Sequence, residues 1–496
     1  MFLAPLRLPR ARHFALTWGI ADQHGGMTSA MLRRSRSFHE LGGVDVDILT
    51  LDDRADYADL EERLRASGEL IDGVRIRNLW DDLRDRTLRP AAQAPDARAP
   101  LVPEPDDEVI VLAGAVMSRT RRDASGRVVA VDRFRRDGSL LSTERSEADQ
   151  RIVLYDADGR AVRSWRTSRG LHRWWLDRLT AGAPSFLVVD SKTAARSVLG
   201  YRRQHVVTIH IIHASHRLGG RAGALRASRA SVLRRADEFD GIVVLTERQR
   251  TDLVEDLSTV GVEARIRTIP NGVELPSHGP SERDGTHAVI VASLNRRKRL
   301  EHAVDALVTA QSDAPGIHAD IFGEGPDEEQ LRQRIHTRDA ASYIRLRGHD
   351  PLARSAFESA GFSLLTSTSE GLPLVLAESM AVGCLPIAYD IRYGPADIIR
   401  DGVDGFLVPK GDVAALSRTI AELQTMPRAG VDAMRQRAVS RAKDFSDAAV
   451  TRRWSRELHA VYDAKLLAAA KEQPLRVRLR RRAGVLRRRI RWVTGR

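Results

Sequence analysis

A chain of 496 residues exceeds what one hydrophobic core supports, and 42% apolar with 29% charged residues exclude a disordered or fibrous protein. The formal charge of +13 invites a nucleic-acid reading, but ten arginines and no acid fall within residues 475–496, so only about +3 belongs to everything before them. A single cysteine, Cys384, excludes an internal disulfide, fits a reducing compartment, and sits between a helix and a strand where a small residue packs. No run of 18 apolar residues occurs and the N-terminal stretch is broken by Pro and Arg, so the expectation is a cytoplasmic protein without spanning helix or signal peptide.

In chain order, His13–Gly19 predicts a first strand, and Gly25-Gly26 opens a helix; glycines there either admit a phosphate or sugar to the backbone or make a turn. Val44–Leu51 and Val74–Trp80 predict further strands of an N-terminal α/β domain over 1–275. The Pro-rich stretch Pro90–Pro105 breaks this pattern. Across 107–168, strand-like runs are separated by Ser125-Gly126, Asp137-Gly138 and Asp158-Gly159, each a hairpin signal. Three in succession predict an antiparallel meander, which cannot continue a parallel sheet and is therefore an insertion.

The α/β pattern resumes with a helix holding Trp174 and Trp175 and a strand at Ser185–Asp190. His210, His213 and His216 then recur at intervals of three, where a strand runs into a Gly-rich loop. Alternate strand residues point to opposite faces, and no Cys or carboxylate nearby completes a ligand set, so no metal is expected. The spacing favours one functional histidine at the strand's C-terminal end, where open α/β sheets place ligands. His210 reads as a buried strand residue and His216 as a loop residue that touches an acceptor or nothing. After a strand at Gly241–Thr246 and a helix, Asn271-Gly272 makes a turn and Pro276–Gly285 reads as a linker.

A second α/β domain, 286–445, opens with strand His287–Leu294 and a basic turn holding Arg296, Arg297 and Lys298. Gly323, Gly325 and Pro326 follow the next strand but lack the third glycine of a dinucleotide fingerprint. A strand at Tyr343–Gly348 and a helix at Pro351–Ala360 lead to the most informative stretch, Ser363–Gly405. There an apolar strand enters a small-residue loop, Pro373 starts a helix, and Leu385–Tyr389 closes a buried β-α-β unit. Glu370 precedes that helix and Glu378 lies inside it, seven residues between them. The pair are either solvated helix carboxylates or two contacts to one ligand whose anionic part takes the helix N-terminus, as a nucleotide sugar would.

This stretch, with EGLP at Glu370–Pro373 and the Glu-(seven residues)-Glu spacing, resembles the donor site of the retaining family 4 glycosyltransferases. The block Tyr389–Val408 is similar to the subgroup containing the poly(glycerol phosphate) and poly(ribitol phosphate) teichoic acid α-glycosyltransferases and the related enzymes that glycosylate serine-rich surface proteins. The resemblance implies two facing Rossmann-like α/β domains of the glycosyltransferase B type with a β-rich insertion in the first. It implies a UDP-sugar or similar nucleotide diphosphate sugar as donor substrate, no cofactor and no metal. Glu370 would face the transferred sugar, the backbone of Gly371, Leu372, Pro373 and Leu374 would hold sugar and phosphate, and Glu378 would bind the ribose. Lys298 would meet the diphosphate and Gly26 would belong to a glycine loop facing the cleft. His213 would bond the sugar near its anomeric centre, with His216 an acceptor candidate. The family's Arg after the first strand of this domain falls here on Ser293, so Arg296 or Arg297 would have to reach the diphosphate instead. The insertion would serve oligomer contacts or an anionic polyol-phosphate acceptor polymer, or be a solubilising flap.

Residues 446–472 predict a last helix, which in the family crosses back to the first domain. In the tail, 473–496, Leu475, Leu479, Ala483, Leu486, Ile490 and Val493 form an apolar stripe among arginines. Such a helix suits an anionic membrane surface or packs on a neighbour; a nucleic-acid arm would not need the stripe.

Overall fold

The computed structural model describes residues 7–89, 95–146, 149, 151–219, 222–276 and 282–471; the arginine-rich tail lies outside them. The chain divides into two units, one made of Met1–Ile211, Ser231–Ile242 and Ser455–Arg496, the other of Ile212–Ala230 and Val243–Trp454. Residues 212–230 and 243–275, read from the sequence as part of an N-terminal domain, thus pack with the second unit.

A seven-stranded sheet runs in the order Ile266–Thr268, Gly241–Val244, Val206–Ile212, Ser185–Val189, Arg12–Leu16, Val46–Thr50, Val74–Asn78. Its five strands from Val206–Ile212 onward are mutually parallel. Val46–Thr50, Ser185–Val189 and Val206–Ile212 are buried along their whole length, as strands covered on both faces must be, whereas Val74–Asn78 at the edge carries the exposed Arg75. The chain order reverses between Arg12–Leu16 and Ser185–Val189, the doubly wound arrangement. Gly26 opens the helix Gly26–Glu40 that follows the first of these strands. Arg34 of that helix donates two hydrogen bonds, 2.8 and 2.7 Å, to Asp190 at the end of the second.

Between Val74–Asn78 and the helix Ser168–Thr180 lies a six-stranded antiparallel meander, Glu108–Leu112, Ala115–Arg122, Val128–Phe134, Leu140–Arg145, Ile152–Tyr155 and Ala161–Trp165, each strand paired to the next. The sequence pattern reads Val109 to Arg122 as one run. The structure breaks it at Ala113-Gly114, both at positive φ (49° and 82°), which is a two-residue turn carried on a weaker signal than Asp-Gly. Arg133 fastens the meander by stacking 3.7 Å over Trp80 and bonding Asp53. The Pro-rich segment crosses the sheet: the Arg98 N–H donates to Tyr155 Oη of the fifth strand (2.8 Å), the Leu101 N–H reaches Asp132 of the third, and Arg121 of the second holds Asp107 (2.9 Å).

The second unit carries a parallel six-stranded sheet ordered Ile344–Gly348, His318–Phe322, Asp284–Val291, Ala360–Leu365, Leu385–Asp390, Phe406–Pro409. Again the order reverses, here between Asp284–Val291 and Ala360–Leu365. Under this point Val289, Phe357, Ala360 and Cys384 form a fully buried cluster, and burial pushes the Cys384 thiol up to about 12, so it is a packing residue. The helix expected over Pro351–Ala360 is a shorter 3-10 turn, Ala353–Glu358, because the chain enters the next strand already at Ala360. The final helix, Asp447–Lys471, is divided between the units at Trp454/Ser455; in the first unit its Lys465 donates 2.6 Å to Asp240.

Candidate active site

In a doubly wound sheet the ligand crevice lies at the carboxyl ends of the strands where the order reverses. In the second unit the two loops at that point are Ala292–Arg299 and Thr366–Pro373. They are stitched together: the Thr368 N–H (2.7 Å) and hydroxyl (3.1 Å) donate to the Arg297 carbonyl, and the Thr366 hydroxyl donates to the Lys298 carbonyl at 2.8 Å. The stitching aims Lys298 inward. Its ammonium donates to Glu370 Oε1 at 2.7 Å, with both side chains nearly buried. An ammonium has three donors and this contact uses one, so the pair presents a cation and a second carboxylate oxygen to the same small volume.

Gly371 brings a third group to them. A Cβ there would stand 2.0 Å from the His213 carbonyl oxygen and 3.2 Å from Ala214 Cα, so only glycine lets the Glu370 loop lie against the His213-Ala214 backbone. The backbone of His213, a half-buried residue, therefore lies against the residue that follows Glu370. Gln249 supports the other side, donating 3.1 Å to the Ala214 carbonyl.

Behind the loop, Pro373 precedes the helix Leu374–Ala381, whose first-turn amides have no partner within the helix and whose dipole favours an anion. Gly371, Leu372 and Pro373 are buried and Leu374 half-buried. Gly394, at φ +104°, allows the next loop to close on Pro373, whose Cδ would lie 2.3 Å from any Cβ there. One turn into the helix, Glu378 accepts a hydrogen bond from Arg354 Nε at 2.8 Å, its side chain nearly buried.

Ser293, Arg296 and Arg297 are exposed. Arg296 lines a cavity of about 370 Å³ with Arg299, Asp327 and Arg334, to which neither Lys298 nor Glu370 contributes. Gly323 and Gly325 pack on the Ala292–Leu294 backbone, where Cβ atoms would meet the Ala292 and Leu294 carbonyl oxygens at 1.9 and 2.2 Å. Gly26 lies in the first unit. The three histidines do not converge, since His210 Nδ1 lies 2.9 Å from the Val189 carbonyl oxygen within the sheet. His216, read from the sequence as a loop residue that touches an acceptor or nothing, lies in the core. It is fully buried, bonded to Asp256 at 3.1 Å and stacked on Tyr393 at 5.8 Å, and burial lowers its pKa to about 4, leaving it neutral.

His216 belongs to a buried ionic cluster that sequence reasoning missed. Arg217, with no exposed surface, donates to Asp256 (2.7 Å to each oxygen) and lies 3.1 Å from Asp252. Asp252 also accepts from Arg392 (2.6 and 2.7 Å) and from the Tyr393 hydroxyl (2.6 Å). The cluster ties the His213–Arg217 segment to the block after strand Leu385–Asp390. Its only signal in the sequence is the Asp pair at i, i+4 on the inner face of helix Glu247–Ser258.

Residues 277–445 match the model of the family described as glycosyl transferases group 1. Over 238 residues the chain is 34% identical to an exopolysaccharide phosphotransferase of Streptomyces coelicolor, covering 48% of this chain and 24% of that one. It is 29% identical to the GtfA subunit of a UDP-N-acetylglucosamine–peptide N-acetylglucosaminyltransferase of Streptococcus gordonii, covering 60% and 61%. It is 23% identical to the poly(ribitol-phosphate) α-N-acetylglucosaminyltransferase of Staphylococcus aureus, covering 80% and 90%. The chain thus spans about a quarter and three-fifths of the first two relatives. The crystal structure of TarM superposes with a TM-score of 0.75 at 17% identity, covering 91% of this chain and 99% of that one. The fold is the glycosyltransferase B type.

Proposed function

We propose, from the premise that residues 277–445 are a group 1 glycosyl transferase segment, that this chain moves an α-linked hexose or N-acetylhexosamine from a nucleotide diphosphate sugar to a polyol-phosphate polymer, with retention. The observation that carries the reading is the Lys298–Glu370 pair at the reversal point of the sheet, with Gly371 seated on the His213 carbonyl. Glycosyl transfer from such a donor develops negative charge on the leaving diphosphate and positive charge at the anomeric carbon, and a site must answer both. Lys298 and the amides at the start of helix Leu374–Ala381 serve the diphosphate. Glu370 and His213 orient the sugar, and Glu378 takes the ribose. In this reading the protein's own cations neutralise the diphosphate, so turnover survives a chelator.

The polyol-phosphate acceptor is favoured by the Staphylococcus aureus poly(ribitol-phosphate) enzyme, with which the match covers 80% of this chain and 90% of that one. A protein acceptor is the second reading, favoured by the GtfA relative. Among the described residues no helix is long and apolar enough to cross a membrane. A cytoplasmic enzyme held at the inner membrane face by its arginine-rich tail agrees with this, and removing Leu475–Arg496 would then spare turnover of a soluble acceptor. Self-association through the meander is supported by its edge strand Glu108–Leu112, where Val109 and Val111 are 41% and 56% exposed.

The test is release of nucleoside diphosphate from a panel of nucleotide sugars, with and without purified teichoic acid, in wild type and Glu370→Ala. Acceptor-dependent release lost in the variant supports the transferase and names its donor. No release with any donor, alongside undiminished polymer binding by both proteins, would replace it with a catalytically silent binding subunit.

A further inference from the structure

Arginines in the meander are almost uniformly matched to acids: Arg121 to Asp107, Arg145 to Asp132, Arg151 to Glu144 and Arg160 to Asp158. The pattern stops where the last strand, Ala161–Trp165, meets the helix Ser168–Thr180. Arg163, Arg166, Arg169 and Arg178 are exposed there, and none has a carboxylate at ion-pair distance among the described residues. The neighbouring acid, Asp177, is already taken by Arg203 (2.8 Å at both oxygens) and the Tyr201 hydroxyl (3.0 Å).

Two half-buried tryptophans lie among these arginines. Trp165 and Trp174 meet at 5.2 Å and 52°, and the guanidinium carbons of Arg163 and Arg178 stand 5.6 and 5.0 Å from the centre of the Trp174 ring. Trp174 is not the core residue of the pair: its neighbour Trp175 is fully buried and bonds Asp82 at 2.8 Å. Trp165 is seated by Gly170, where a Cβ would come within 2.8 Å of the Trp165 ring. A guanidinium over an indole is held in place yet keeps its N–H fork for a second partner, and a set of such forks without acids is complementary to phosphates.

We propose that this surface is a landing site for the phosphate backbone of the polymeric acceptor, Arg163, Arg169 and Arg178 taking phosphodiesters while the tryptophan edges pack the polyol carbons between them. The assignment rests on the polyol-phosphate reading given above. A nucleic acid is the less suited occupant, because bases need an open aromatic face and the Trp174 ring is taken up by two guanidiniums and a tilted indole.

The experiment uses the full chain, end-labelled unglycosylated poly(glycerol phosphate), a two-unit glycerol phosphate acceptor and an oligouridylate of equal phosphate number. The triple variant R163Q/R169Q/R178Q and, separately, Gly170→Ala are compared with wild type. For the triple variant the expected result is at least a tenfold rise in Kd and KM for the polymer. Its log K should fall less steeply with log salt by about 2, on the ~0.7 per phosphate found for single strands. With the two-unit acceptor, kcat should stay within twofold of wild type. Gly170→Ala should weaken polymer binding without altering kcat. If wild type glycosylates the polymer and the triple variant does so with KM and Kd within twofold of it, the landing site is wrong and the transferase reading stands. If wild type neither binds nor glycosylates the polymer, both fall. Oligouridylate binding tighter than the polymer in wild type, and lost in the triple variant, overturns the polyol assignment.

Discussion

Substituting Gly371 with alanine tests the geometry of the site more sharply than removing any of its charges. The new Cβ would begin 2.0 Å from the His213 carbonyl oxygen, and both sides of that contact are backbone, so no side chain can swing away. Ordinary contact begins at 3.4 Å, so the Glu370 loop and the His213 segment must part by about 1.4 Å. Overpacking of this kind costs about 1–3 kcal/mol of stability. The effect on the reaction should be larger, because a displacement of about 1 Å between reacting groups costs on the order of 100-fold, or roughly 2.7 kcal/mol of barrier. The assay is acceptor-dependent nucleoside diphosphate release at saturating donor, with thermal melting to verify that the variant is folded. A folded Gly371→Ala protein retaining kcat within threefold of wild type would refute the claim that His213 and Glu370 act as one constellation.

Replacing Arg217 with methionine leaves Asp252 and Asp256 buried beside a lost partner and should destabilise the protein by about 3–5 kcal/mol, read from urea midpoints. Lys298→Ala should lower kcat/KM by at least 100-fold and also lower the melting temperature, since it leaves the nearly buried Glu370 carboxylate without its partner. Burial lowers the pKa of His13, His172 and His216 to about 4 each, so the folded state binds fewer protons than the unfolded one. Their contribution is complete above pH 6.5 and is lost as pH falls toward 4; urea midpoints should therefore drop between pH 7 and 5, against the smaller opposite effect of Asp52, whose pKa is raised to about 6. Cys384 should resist alkylation in the folded protein and react at once in denaturant.

What the sequence made legible is what short-range pattern encodes. Apolar runs, Asp-Gly turns and the Glu370–Glu378 spacing are all local, and the strands at Val46–Thr50, Ala360–Leu365 and Leu385–Asp390 fall where those patterns put them. Long-range burial is not encoded that way. Nothing in the residues around His216 announces that Asp256, 40 positions on, and Tyr393 will enclose it. Likewise Arg296, Arg297 and Lys298 are equivalent as a basic run, and only the stitching of Thr366 and Thr368 to the backbone carbonyls of Lys298 and Arg297 separates the inward lysine from the outward arginines. The turn at Ala113-Gly114 escaped because alanine at positive φ is a tertiary outcome rather than a preference.

The Pro-rich segment has a consequence for how the molecule can be cut and rejoined. The first and last strands of the meander stand at opposite edges, five strand spacings or about 24 Å apart, too far for a short linker to bridge. The segment running over the sheet past Tyr155 and Asp132 undoes that separation, carrying the chain to the far edge before the first strand starts. The described part of the strap thus meets the sheet at Tyr155, beside the strand Ala161–Trp165 with which the meander ends. Taken with its strap, the insertion is a removable cassette whose excision leaves nearby ends; taken without it, the same six strands leave a gap that the remaining chain must stretch to close.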